Sequence, residues 1–204
     1  HTLVQESGPA IWFTAQWSNA VGRLDPRNGK IQQWEMPIER SRPYGIVLDA
    51  SDMPWIVLLG SNHLAHVASG ELVTKAIPRQ DARPRRIAMV NGQVWYVDYA
   101  QGYLGRFDPA SDTFKEWRSP SAEGSRPYGM IADDDGCIWY VETGPQPNRW
   151  IGFDTRKERF IVNQVIPDSG GAVRHMFFDA QQNAVWFGMD TNFMGRAELP
   201  HCRQ

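Results

Sequence analysis

The sequence predicts an all-β fold, a β-propeller of four-stranded blades, on three observations. The pentapeptide SRPYG stands at 41–45 and again at 125–129, with a looser copy, ARPRR, at 82–86. Tryptophan recurs inside short apolar runs at Trp12, Trp55, Trp95, Trp139 and Trp186, in steps of 40–47 residues. No stretch sustains a helical apolar period, and 14 prolines are spread along the 204 residues. A period of about 40–45 residues built from short strands is the mark of a propeller blade.

Each repeat reads as four strands, a to d. Strand a is an apolar run ahead of each Trp: TLVQE, GIVLDA, RIAMVN, GMIADD and VRHMFFD. Strand b carries the Trp: AIWFT, PWIVL, VWYVD, IWYVE and VWFGM. Strand c follows as AVGRLDP, HLAHVAS, YLGRFDP, WIGFDT and FMGRAEL. Strand d closes the first four repeats with KIQQWEMP, ELVTKAIP, TFKEWRSP and RFIVNQVIP. Val, Ile and aromatic enrichment supports each strand, and turn signals such as DPRNGK, NG and DDDG bound them. The expected organisation is a single domain, 1–204, with blades about 1–38, 44–78, 85–120, 127–167 and 173–200. The last blade lacks its outer strand. That missing strand, with the absence of an initiator Met, predicts the C-terminal part of a longer propeller; closure with five blades is the alternative. Each Trp on strand b is expected to pack between neighbouring blades, because one blade cannot bury both of its faces alone.

Composition narrows the partners. Apolar residues make up 42%, aromatics 12%, and 21 basic against 23 acidic residues leave a formal charge of −2. A nucleic-acid partner calls for a basic excess, so none is expected. No apolar run reaches the roughly 18–20 residues of a membrane span. Cys137 and Cys202 suit either a disulfide in an oxidising compartment or two free thiols.

The run from proline through an acidic turn to an aromatic strand, RPYGIVLDASDMPWIVL, RPRRIAMVNGQVWYVDYAQGYLGRFDP and RPYGMIADDDGCIWYVE, resembles the virginiamycin B lyase (streptogramin lyase) family over essentially the whole chain. Propellers of the NHL type share its general grammar. The resemblance implies a seven-bladed propeller and periplasmic or secreted location. It also implies a divalent cation, commonly Mg, and a carbon–oxygen lyase that opens a cyclic ester by elimination.

The hairpin Asn91-Gly92 pairs Val90 with Gln93, which sets Ile87 opposite Tyr96 and Arg85 opposite Asp98. Strand a starts and strand b ends should therefore crowd one face near the axis. The starts supply His1, Tyr44, Arg85, Tyr128 and Arg174; the ends supply Ala15, Leu58, Asp98, Glu142 and Met189. This mouth is the expected ligand site, with His1, Tyr44, Arg85, Tyr128, Arg174 and His175 as candidate ligand-binding residues. By the resemblance, Glu142 matches the family's Glu, Asp98 is a shorter substitute, and both are the candidate catalytic carboxylates. Only His1 fills the family's His slot; arginine or tyrosine stands there elsewhere, and His175 is one position late. The Arg85–Asp98 pair reads equally as a cross-strand ion pair. His63 and His66 point to opposite strand faces, and His66 is expected at the surface.

Three functional readings follow. One is a propeller whose mouth binds an anionic or sugar-like small molecule or a protein partner. Another is an active lyase working by metal-assisted elimination. The last is an NHL-like scaffold in a larger assembly.

Overall fold

The structure, a computed structural model, describes residues 1–202; residues 203 and 204 of the expected domain lie outside the described residues. The described residues form five antiparallel sheets, arranged as the blades of a propeller. The first holds β1 (Leu3–Gln5), β2 (Ile11–Ala15), β3 (Ala20–Asp25) and β4 (Lys30–Glu35). The second holds β5 (Pro43–Leu48), β6 (Pro54–Leu58), β7 (His63–Ala68) and β8 (Glu71–Ala76). The third holds β9 (Pro84–Val90), β10 (Gln93–Asp98), β11 (Tyr103–Asp108) and β12 (Thr113–Arg118). The fourth holds β13 (Pro127–Ala132), β14 (Cys137–Glu142), β15 (Arg149–Asp154) and β16 (Arg159–Val165). The fifth has three strands, β17 (Val173–Asp179), β18 (Ala184–Met189) and β19 (Met194–Glu198). In every sheet the strands pair in chain order.

Four apolar clusters fill the four spaces between consecutive sheets. The second strands of the second, third and fourth sheets each feed two of them. Trp95 packs toward the fourth sheet against Phe153, at 5.7 Å between ring centroids, while Tyr96 lies in the cluster shared with the second sheet. Strand β14 is accordingly buried at all six positions. A strand buried on both faces reads as a continuous apolar run rather than an alternating one. Trp12, Trp55, Trp95 and Trp139 are buried, and Trp186 in the fifth sheet is half-buried.

The glycine of the GR pairs in the third strands has a steric reason. A Cβ on Gly105 would stand 2.1 Å from the Tyr96 ring, and one on Gly22 would stand 2.3 Å from the Phe13 ring. The aromatic of the second strand lies over the bare backbone of the third.

The repeated pentapeptide is explained residue by residue. Ser41 and Ser125 are buried, and their carbonyls accept the N–H groups of Gly60 and Gly144. Arg42 and Arg126 take the left-handed backbone conformation, at φ 52° and 43°, and turn the chain into the sheet. Proline opens the innermost strand, where no ladder donor is missed. Gly45 then lies where a Cβ would come within 2.9 Å of the Arg85 carbonyl oxygen in the next sheet, and Gly129 does the same against Val173.

One expectation needs correction. His66 is not a surface residue: its ring stacks on Trp55 at 4.2 Å and 7°, and its Nε2 lies 3.3 Å from Asp49. Trp55, its partner on the adjacent strand, and Asp49 cover it from within its own sheet.

Cys137 and Cys202 form a disulfide that closes 65 residues and ties the end of the fifth sheet back to β14. In the chain-entropy account a loop of that size is worth about 4 kcal/mol. Cys202→Ser, or reduction, should therefore lower the melting temperature by thermal denaturation, with Cys137→Ser giving the same drop and the double variant no more than either single one.

Candidate functional site

The innermost strands of the second to fifth sheets each contain one residue more than their partners. Pro43 pairs with Leu58 but Ile46 with Ile56; Pro127 pairs with Glu142 but Met130 with Tyr140; the fifth sheet shifts alike between Val173 and Met176. In the third sheet Arg86 pairs with Val97 and Pro84 with Asp98, so Arg85 is left out of the ladder. Such a bulge re-aims a side chain at the edge of a sheet. It releases Tyr44, Arg85, Tyr128 and Arg174, one per sheet, toward the axis.

The bulge corrects the expected register: Asp98 stands opposite Pro84, not Arg85. Asp98 and Glu142 do not open onto the mouth either, since both are fully buried. Asp98 accepts the N–H groups of Arg83 and Ala100, each at 2.9 Å, and pairs with the Arg79 guanidinium. Burial opposes the Arg79 charge, but Glu116 and Asp98 outweigh it and raise its pKa. Glu142 accepts the Ser121 N–H at 2.9 Å and the Ser121 hydroxyl. Each carboxylate thus fastens the loop that enters an innermost strand. Leu58 is buried as well, while Ala15 and Met189 are half-buried.

The bulge residues meet around Arg85. Its guanidinium carbon lies 3.6 Å from the Tyr128 ring centroid, 4.2 Å from Tyr99 and 5.2 Å from Tyr44. The hydroxyls of Tyr44 and Tyr128 share a short hydrogen bond, and the His1 ring sits 3.7 Å from that of Tyr44. Arg86 follows Arg85 and crosses the axis, donating to the Arg174 carbonyl oxygen at 2.7 Å and to the Thr2 hydroxyl at 3.2 Å. Arg174 and His175 complete the circle in the fifth sheet, both exposed, with Arg174 held by both oxygens of Asp190 at 3.0 and 2.9 Å. Arg86, Tyr99 and Asp190 escape a reading based on strand starts and ends. The signal for Arg86 was the replacement of the glycine of RPYG in RPRR.

Charge at this mouth is one-sided. Among the described residues no ion pair includes Arg85 or Arg86, and their Nε atoms are buried without a hydrogen-bond partner. Burial and the neighbouring Arg85 lower the Arg86 pKa, partly offset by Tyr128 and Tyr44. Burial alone would raise the Tyr128 phenol, yet the hydrogen bond with Tyr44 and the charges of Arg85 and Arg86 bring it below the ordinary tyrosine value. Burial and the bond to Tyr128 raise Tyr44 instead. Either hydroxyl can be the donor of that bond.

Along the axis beneath the arginines lies a cavity of about 280 Å³, lined by Val4, Ile46, Ile87, Met130 and Met176 among others. A larger cleft, about 510 Å³, opens at the outer edge between the fourth and fifth sheets, with Trp150, Ile166 and Phe187 in its walls. It gathers no converging set of polar groups, so the axial mouth is the chemically equipped site.

The family description "Virginiamycin B lyase family" matches residues 1–145. The chain belongs to the virginiamycin B lyase family. The virginiamycin B lyase of Nocardia farcinica is 30% identical over 100 residues, which is 49% of this chain and 34% of that protein. A catalytically inactive virginiamycin B lyase of Staphylococcus aureus, crystallised with quinupristin, superposes with a TM-score of 0.78 at 20% identity, covering 95% of this chain and 68% of that one. A streptogramin B lyase structure gives 0.79 at 20% identity, over 97% and 68% of the two chains. At that identity the structural likeness establishes the propeller fold.

The acidified Tyr128 is open to measurement. A spectrophotometric titration should show one tyrosine ionising ahead of the others, and Tyr44→Phe, which removes its hydrogen-bond partner, should move that first transition to higher pH.

Proposed function

We propose that this lyase-family propeller binds an anionic small molecule, through a carboxylate or a similar group, at the mouth formed by Arg85, Arg86 and the tyrosines. The observation that carries this is the pair of adjacent, part-buried guanidinia with no acidic partner among the described residues. A buried charge without a partner is costly. An incoming anion supplies the missing partner and gains charge-assisted hydrogen bonds in a low-dielectric site. The tyrosine rings hold the Arg85 fork in place, so little side-chain entropy is lost on binding.

The Mg ion implied by the family does not fit this mouth. A hard cation needs carboxylate or carbonyl oxygens; here Asp98, Glu142 and Asp190 are engaged by Arg79, Ser121 and Arg174, and three guanidinia face the axis. Among the described residues the one cluster with metal-ligand spacing is Asp133, Cys137 and Cys202, and its cysteines are joined to each other. The family's seven-bladed ring is part of the same proposal, supported by superposition on 68% of the lyase chains. Periplasmic or secreted location is supported by the disulfide.

A second reading, opening of a cyclic ester by elimination, is favoured by family membership. The group suited to remove the proton is then Tyr128, the phenol at the mouth whose pKa is lowered by the nearby arginines, rather than the sequestered Asp98 or Glu142. Turnover of a cyclic ester, abolished by Tyr128→Phe at unchanged melting temperature, would establish this reading in place of the first.

The binding test is calorimetry with small carboxylates, sulfate and phosphate. Arg85→Ala should weaken the best binder about ten- to a hundredfold, the loss of one or two charge-assisted hydrogen bonds. Arg85→Lys should recover only part of it, because an ammonium cannot reproduce the planar fork. Equal binding by Arg85→Ala and the wild-type protein would sink the proposal.

A further inference from the structure

The repeat carries a second set of arginines around the first. Arg42, Arg83 and Arg126 each stand two residues before a bulge position, in RPY, RPR and RPY, on three successive sheets. They lie at the same end of the propeller as the mouth, where the connecting loops arrive at the innermost strands. Arg42 and Arg126 are exposed and Arg83 is half-exposed, and among the described residues none of the three joins an ion pair. The same loops also carry the acids Glu39, Asp81 and Glu123, three, two and three residues before the respective arginines, and Glu123 pairs with Arg118. The fifth sheet has Ala172 at this position, so the basic rim follows the second, third and fourth sheets only. A chain with a formal charge of −2 thus presents six arginines, three in the rim and three in the mouth, at one end of its axis.

Aromatic rings alternate with these charges. The Arg42 guanidinium lies 5.3 Å from the ring of Trp17, which is 81% exposed, and Arg85 lies 4.2 Å from half-buried Tyr99. Such an exposed indole offers a flat face to the C–H side of a sugar ring, with a carboxylate-binding fork beside it. The backbone of these loops is already engaged: the Arg42 carbonyl accepts the Leu59 N–H and the Arg126 carbonyl that of Thr143. Recognition here is by side chains and not by addition of a peptide strand.

From this arrangement, and resting on the anion-binding reading of the mouth, we propose that the ligand is an acidic oligosaccharide with one carboxylate per sugar. One uronate carboxylate engages Arg85 and Arg86, and the following sugars run over the rim formed by Arg42, Arg83 and Arg126. Binding of successive charges on one chain adds avidity without any change in the inner site.

The test is calorimetry in about 50 mM salt, where surface charges are only partly screened, using galacturonate, its linear six-sugar oligomer and hexaglutamate. The oligomer should bind about tenfold or more tighter than the monomer, as three solvent-exposed ion pairs together allow. The triple variant Arg42→Ala/Arg83→Ala/Arg126→Ala should lose that gain while keeping the monomer affinity; Arg85→Ala should weaken both. An oligomer that binds the triple variant as tightly as the wild-type protein overturns the rim, and leaves the mouth reading standing. Hexaglutamate matching the sugar oligomer overturns the sugar class and points to an acidic peptide. Oligomer binding that survives Arg85→Ala but not the triple variant sinks the mouth reading instead.

Discussion

Everything in this molecule hangs on the packing of aromatic rings between sheets. The second strands of the second, third and fourth sheets have no solvent face: Trp95 presses toward the fourth sheet, Tyr96 toward the second, and the pattern returns with Trp139 and Tyr140 one sheet later. A sheet with two apolar faces cannot stand by itself, so each blade exists only between neighbours. The glycines of the third strands belong to the same constraint, since a methyl group on Gly152 would intrude on the Trp139 ring. Stacked pairs such as Trp95 with Trp117 and Trp150 with Phe187 extend the wedge outward. The inner strands are thereby held at a fixed spacing around the axis, and the mouth inherits its geometry from that spacing.

The sequence showed the period, the strand order and the aromatic wedges because each is written once per repeat. The hairpin register was legible too, from Asn91-Gly92 as far as the pairing of Ile87 with Tyr96. It failed two steps later, past the pairing of Arg86 with Val97. A bulge inserts a residue without altering the apolar alternation on either side, so counting along the strand carries Arg85 onto Asp98. In the folded chain Arg85 lies among tyrosines and Asp98 belongs to Arg79. The carboxylates were misread for a related reason: their partners, Arg79 and Ser121, come from irregular connections whose path no periodicity records. Arg86 could have been found. The third copy of the pentapeptide replaces a glycine required elsewhere by close backbone approach, and a residue that breaks such a rule is a candidate for function.

Charge in this protein is sorted by position, which a net value near zero conceals. Away from the axis, acids and bases meet in pairs: Arg23 with Glu6, and Arg106 and Lys115 with Glu158. At the mouth the balance tips. Asp190 answers Arg174, but among the described residues Arg85 and Arg86 are partnered by phenols, a hydroxyl and a carbonyl. The acidified Tyr128 is the fold's internal response to that excess. A phenol is a weak source of negative charge, so the excess is only partly answered within the fold.

Arg86 has a consequence for the mechanics of the ring. It is anchored in the third sheet and ends against Thr2 of the first segment and the Arg174 carbonyl of the fifth sheet, contacts that span 84 and 88 residues of chain. It serves as a spoke at the hub, where one side chain ties the third sheet to the opening segment and to the fifth sheet. Arg85, the preceding residue, makes no such tie: its fork lies over the rings of Tyr128 and Tyr99. Of two consecutive arginines, one therefore joins sheets across the axis and the other stays at the mouth.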